Sequence, residues 1–163
     1  MKLTALIAAG LLVGSVATAA AEDNPAVPTK ADRAAIAKCV KDTTEYGGTM
    51  EKCIGIIADP CLAEPGTDND VLMTACLDRE ATIWDDRLND HYRALMAGLD
   101  DERKGKLKAQ QKQWISLRDQ TCEMEASFWD GGTGASTAAT RCFMRETASR
   151  AITLNGFLGY LDQ

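Results

Sequence analysis

The chain has one histidine, His91, among its 163 residues, and none of its six cysteines forms a C-x-x-C pair. Both absences narrow the chemistry. A lone helical histidine beside Tyr92 reads as a surface or internally satisfied residue rather than a catalytic base. The usual spacings of a structural zinc site are missing. No serine or cysteine stands in a nucleophile-elbow setting. Asp68-Asn69-Asp70 lacks the glycine and the distal glutamate of an EF-hand loop. The acids at Asp85-Asp86, Asp100 to Glu102, Glu123 and Glu125 read as solvated helix faces rather than a glycosidic acid–base pair. No catalytic residue, metal site or cofactor is therefore expected, and the chain does not read as an enzyme. Cationic excess is lacking too: 18 Lys and Arg stand against 24 Asp and Glu, a formal net charge of −6. Nucleic acid and anionic membrane surfaces are poor partners for such a chain, whereas a cationic protein is a reasonable one.

The N-terminus has the layout of a secretory signal. Lys2 gives a short positive region, Leu3 to Val16 an apolar one, and Ala17-Thr18-Ala19 or Ala19-Ala20-Ala21 a small-residue cleavage pattern. The apolar run is short and soon meets Glu22 and Asp23, so stable membrane insertion is not expected. Removal of residues 1–21 takes away Lys2 and no acid, so the formal charge falls to −7. No cysteine lies at the cleavage site, which argues for a periplasmic or secreted protein rather than a lipoprotein. Residues 22–29, with Pro25 and Pro28, read as a flexible leader, and 30–163 as a single domain.

Export places the cysteines in an oxidising compartment, where disulfides are the default. Six cysteines allow 15 pairings. The nearest-neighbour set Cys39–Cys53, Cys61–Cys76 and Cys122–Cys142 is preferred, because each pair brackets a turn-rich stretch.

No useful β-alternation and no repeat interrupts a helical pattern. A helix is expected from Lys30 to about Asp42. Gly47-Gly48 breaks it, and Thr49 can cap a second short helix that Asp59-Pro60 ends. Cys61 to Asp68 reads as a loop. From about Asp70 to Gly98 there is no proline or internal glycine, and Leu72, Met73, Cys76, Leu77, Ile83, Trp84, Leu88, Tyr92 and Leu95 recur at helical steps. The next helix, about Asp101 to Phe128, carries Leu107, Gln110, Trp114, Leu117, Thr121, Met124 and Phe128 at a period near 3.5, as an antiparallel partner would. After the turn Asp130-Gly131-Gly132-Thr133-Gly134, Ser136 or Thr137 can cap a last helix running through Leu158. The expected fold is all-α: a disulfide-stapled bundle with a long antiparallel helix pair, a third long helix and a short N-terminal helical hairpin.

Polar residues on otherwise apolar stripes are the unusual feature. Gln110, Trp114, Arg118 and Cys122 fall at successive i, i+4 steps. With Glu80, Asn89, Asp119 and Arg150 they read as an interhelical network, in which Arg118 or Arg150 meets a carboxylate of a neighbouring helix. Glu80 is the first choice for Arg118, and Asp119 the second. Trp84 and Trp114 read as core packing across the long pair rather than a sugar platform.

These residues resemble the LprI-type family of small exported bacterial proteins. The pattern runs from Cys61 and Cys76 through Glu80, Leu88-Asn89, Tyr92, Leu107, Gln110, Trp114, Arg118-Asp119 and Cys122 to Cys142, Thr147, Arg150 and Leu154, and covers about 61–160. The resemblance implies an all-helical protein of the cell envelope that binds and inhibits lysozyme. This chain lacks the lipoprotein cysteine and adds a Cys39–Cys53 region in front. Three function classes stay open: a lysozyme inhibitor, an envelope interaction or stress module without lysozyme activity, and a glycan-binding protein or hydrolase. For a contact with a basic lysozyme, Trp129, Asp130, Gly131 and Gly132 are the candidate residues. Trp129 offers an aromatic anchor, Asp130 a charge, and the glycines a close approach to a cleft. The plain alternative is that Trp129 covers the Cys122–Cys142 bond and the glycines only close a turn.

Overall fold

The computed structural model describes residues 24–161, so the signal-like segment 1–21 lies outside the described residues. The described residues form helices α1 Lys30–Glu45, α2 Ala58–Leu62, α3 Asp70–Gly98, α4 Asp101–Ser127 and α5 Gly134–Leu158, with a 3₁₀ turn at Met50–Cys53 and no strand. Residues 24–29 are non-helical and lead into the Thr29 cap. Thr29 accepts from the Asp32 amide while Asp32 accepts from the Thr29 amide, a reciprocal capping box. Asn69 and Asp100 cap α3 and α4 through the amides of Leu72 and Arg103. Those two caps, with no proline between them, make α3 and α4 long.

The three long helices pack as up, down, up. The Asp70 carboxylate meets Thr137 near the starts of α3 and α5, and His91 meets Ala151 further along, so α3 and α5 are parallel. Cys122 joins Cys142 and Gln111 meets Arg150, so α4 and α5 are antiparallel. α5 packs closely on both neighbours, whereas α3 and α4 make few close backbone approaches to each other. The fully buried Ala148 and Ala151 permit that approach. The core gathers Ile36, Val40, Ile83, Trp84, Leu88, Leu95, Leu107 and Leu154 around them, with Trp114 half-buried at its edge.

Three disulfides staple the fold: Cys39–Cys53, Cys61–Cys76 and Cys122–Cys142. The first ties α1 to the 3₁₀ turn, and that single 3₁₀ helical turn is the short second arm of the front hairpin. Asp59-Pro60 does not end a helix there, as the sequence suggested, but lies in the first turn of α2. Proline is tolerated at that position because the first-turn amides have no intrahelical acceptor. A bidentate Arg79–Asp32 pair (2.7 and 2.9 Å) and Arg33–Asp86 (2.6 Å) clamp α1 onto α3.

α4 keeps Leu107, Trp114, Arg118 and Cys122 on its inward face as expected, but not the whole of the 3.5 repeat. Leu107, Gln111, Trp114, Arg118 and Cys122 turn toward the bundle, while Gln110, Leu117, Met124 and Phe128 are exposed. A helix with 3.6 residues per turn rotates away from a 3.5 repeat, and the Cys122–Cys142 bond fixes which face wins.

Candidate functional site

At the end of the bundle where α3 and α5 begin and α4 finishes, the sequence places a glycine-rich turn. The Trp129 amide closes on the Ala126 carbonyl (3.1 Å), and the Gly132 amide on that of Trp129 (2.7 Å). Asp130 takes a left-handed backbone at φ 47°, which aspartate tolerates better than most residues, and Gly131 follows at 73°. The Trp129 ring then packs closely against Gly134. A Cβ there would come within 2.3 Å of the ring, so only glycine fits. Trp129 remains 55% exposed.

The ring forms one wall of a notch of about 400 Å³ with Asp68, Asp70, Met73, Glu125 and Arg141. Three carboxylates and one guanidinium surround an apolar floor. The Asp70 carboxylate accepts from Ser136 and Thr137, and these two bonds hold its carboxyl below the ordinary range despite some desolvation. Ser136 and Thr137 are thus spent on α3; neither caps α5, whose preceding residue Thr133 makes no side-chain cap. Glu125 is held by Arg145 (2.5 Å) and Arg141 lies 3.8 Å from Asp59. Leu117, Met124 and Phe128, an exposed apolar line on α4, lead toward the notch.

The polar residues flagged in the sequence separate into three places. Arg118 and Arg150 both stand against Trp114, at 4.9 and 5.9 Å from its ring, and Arg118 also lies 4.0 Å from Phe143. The expected Arg118–Glu80 pair does not form. Arg118 donates instead to Asp119 (2.9 and 2.8 Å), its neighbour on the same helix, and Arg150 donates to Gln111 (3.0 Å) rather than to an acid. Burial holds the Arg150 guanidinium below its ordinary range. Asn89 is exposed and donates to Asp85 of its own helix (2.9 Å) rather than to a neighbouring helix. Gln110 is exposed at the far end of the bundle.

Glu80 is fully buried on α3 against the 55–58 segment. Its Oε1 accepts from the Gly55 amide (2.7 Å) and Trp84 Nε1 (2.9 Å), and its Oε2 from the amides of Ile57 (2.9 Å) and Ala58 (2.8 Å). An irregular backbone segment offers those donors, which is why no pattern of side chains announces them. Among the described residues no group of three or more His, Cys, Asp or Glu is arranged to hold a metal ion, and no helix is long and apolar enough to cross a membrane.

Compared with known families, residues 61–154 match the one described as Lysozyme inhibitor LprI, over more than half of the chain. The matched stretch holds α3, α4, most of α5 and two of the three disulfides; α1 and the Cys39–Cys53 link precede it. No curated protein and no solved structure matches the chain.

Proposed function

The chain belongs to the Lysozyme inhibitor LprI family, and on that premise we propose that it binds a lysozyme and inhibits it by obstruction, without chemistry of its own. The observation that carries this reading is the notch: an exposed tryptophan on a glycine turn, ringed by Asp68, Asp70 and Glu125, with the exposed Asp130 next to it in the chain. A lysozyme is a basic enzyme with a cleft. A protruding aromatic beside acidic groups is complementary to such a surface in both shape and charge. Gly131 and Gly132 let the backbone around Trp129 come near a cleft wall. The apolar line of Leu117, Met124 and Phe128 extends the contact beyond the turn. The three disulfides and the apolar N-terminal stretch support an extracytoplasmic location, where a lysozyme is met.

The test compares inhibition of cell-wall clearing by wild type, Trp129→Ala and Asp130→Lys at low and moderate salt. Loss of a central aromatic anchor costs about 2 kcal/mol, or roughly thirtyfold in inhibition constant. Asp130→Lys should slow association most at low salt, where the Debye length is about 30 Å at 0.01 M. Unchanged inhibition by both variants, with circular dichroism showing them folded, clears the turn of any role.

A further inference from the structure

At the far end of the bundle, where α3 and α5 finish and α4 starts, lies a second hollow of about 500 Å³. It is roughly 40 Å from Trp129 along α4, at 1.5 Å per helical residue. Its floor is Leu95, Leu99, Leu107 and Phe157, and its mouth carries Arg103 and Lys106. The chain after α5 folds back over it. The Tyr160 and Leu161 amides close on Phe157 and Leu158 (3.1 and 2.9 Å), and Leu161 reaches Gly98 so closely that a Cβ there would meet its side chain at 2.8 Å. Leu161 thereby roofs the hollow while staying 37% exposed.

An apolar hollow with two cations at the lip is out of keeping with a chain of net charge −6. We infer that this hollow binds a single-chain amphiphile with an anionic head, the chain on the leucine floor and the head at Arg103 and Lys106. The volume lies within the range of small-molecule sites, and apolar lining with a few convergent polar groups is their usual composition. Arg103 now meets Asp100 (2.5 Å) and Lys106 meets Glu102 (2.6 Å), both as exposed pairs within one helix. Exposed pairs of this kind are weak, so either cation can turn to a head group while its alkyl stem stays on the apolar wall. The site is independent of lysozyme binding, since none of its lining residues touches the notch.

Calorimetric titration of the purified protein below the critical micelle concentrations tests this. The probes are laurate, a lauroyl lysophosphatidylglycerol and dodecyltrimethylammonium, with wild type, Arg103→Glu/Lys106→Glu and Leu161→Glu. Wild type should take one equivalent of an anionic probe, at least tenfold more tightly than the cationic one; the preferred anion separates a free fatty acid from a phosphate head group. The double charge reversal should weaken anionic binding at least tenfold and improve cationic binding, and Leu161→Glu should weaken the anionic probes. Both changed α4 positions are exposed, and Glu at position 103 lies in the first turn of α4, where a negative charge is favourable, so the variant should fold. No saturable binding of either anion, or affinity indifferent to head charge and to the double reversal, overturns the proposal.

Discussion

Replacing Glu80 by glutamine changes one oxygen to an amide and little else in size. The carboxylate accepts four hydrogen bonds, two on each oxygen, from Gly55 and Trp84 and from Ile57 and Ala58. In either orientation of the glutamine, its NH₂ faces two N–H donors that have no other acceptor at that position. Each stranded buried donor costs about 1–3 kcal/mol, so the substitution should cost about 4 kcal/mol. For a domain of this size that is a fall in melting temperature of roughly 8–16 °C. Thermal unfolding followed by circular dichroism under oxidising conditions measures it. A melting temperature within about 2 °C of wild type would refute the view that Glu80 pins the 55–58 backbone to α3.

Three further outcomes follow from the packing. Arg118→Ala should cost about 1–2 kcal/mol in thermal unfolding, because its partner Asp119 is well exposed and the stacking on Phe143 and Trp114 is the main loss; a cost above 3 kcal/mol would point to a buried acid partner after all. Non-reducing peptide mapping should recover Cys39–Cys53, Cys61–Cys76 and Cys122–Cys142, and Cys122→Ser/Cys142→Ser should lower stability by about 3 kcal/mol; a crossed link would contradict the topology. His91 Nδ1–H donates to the Ala151 carbonyl (2.9 Å), and burial, more than the nearby Arg87 charge, holds the imidazole below its ordinary range in spite of that bond and Asp90. The folded state therefore binds that proton less well than the unfolded one, and stability is lost as pH falls below about 6.5. His91→Gln should flatten the fall in melting temperature between pH 7 and 5, and parallel profiles would rule the contribution out.

How much of this was legible in the sequence depends on the kind of signal. Asn69, Asp100 and the proline-free stretches between them mark α3 and α4 to within a residue or two, because capping and propensity are local. The cysteines, each pair bracketing a turn, were equally readable. The facing of α4 was not: Gln111 rather than Gln110 turns inward, and Leu117, Met124 and Phe128 stand in solvent. The stripe through Trp114, Arg118 and Cys122 and the one through Leu117, Met124 and Phe128 cannot both face inward, and spacing alone does not rank them. Pro60 suggested a stop where the chain has a first turn, since proline suits both. Glu80 and Arg118 each looked in need of a charged partner. Glu80 found three backbone amides and the Trp84 indole, whereas Arg118 found Asp119, the second choice, and the rings of Trp114 and Phe143. Backbone amides and a ring on another helix leave no side-chain pattern to read. The glycine neighbours of Trp129 are legible, but which of them seats the ring is not: it is Gly134, the last residue of the turn and the first of α5. The acids of the notch come from Asp68 ahead of α3, Asp70 on α3 and Glu125 on α4.

The most direct measurement is a cell-wall clearing assay of a basic lysozyme titrated with the purified protein at low salt. The expected result is saturable inhibition that weakens as salt rises and is roughly thirtyfold weaker in Trp129→Ala, in line with an anchor of about 2 kcal/mol. Full lysozyme activity at every concentration of wild-type protein and at every salt would contradict it.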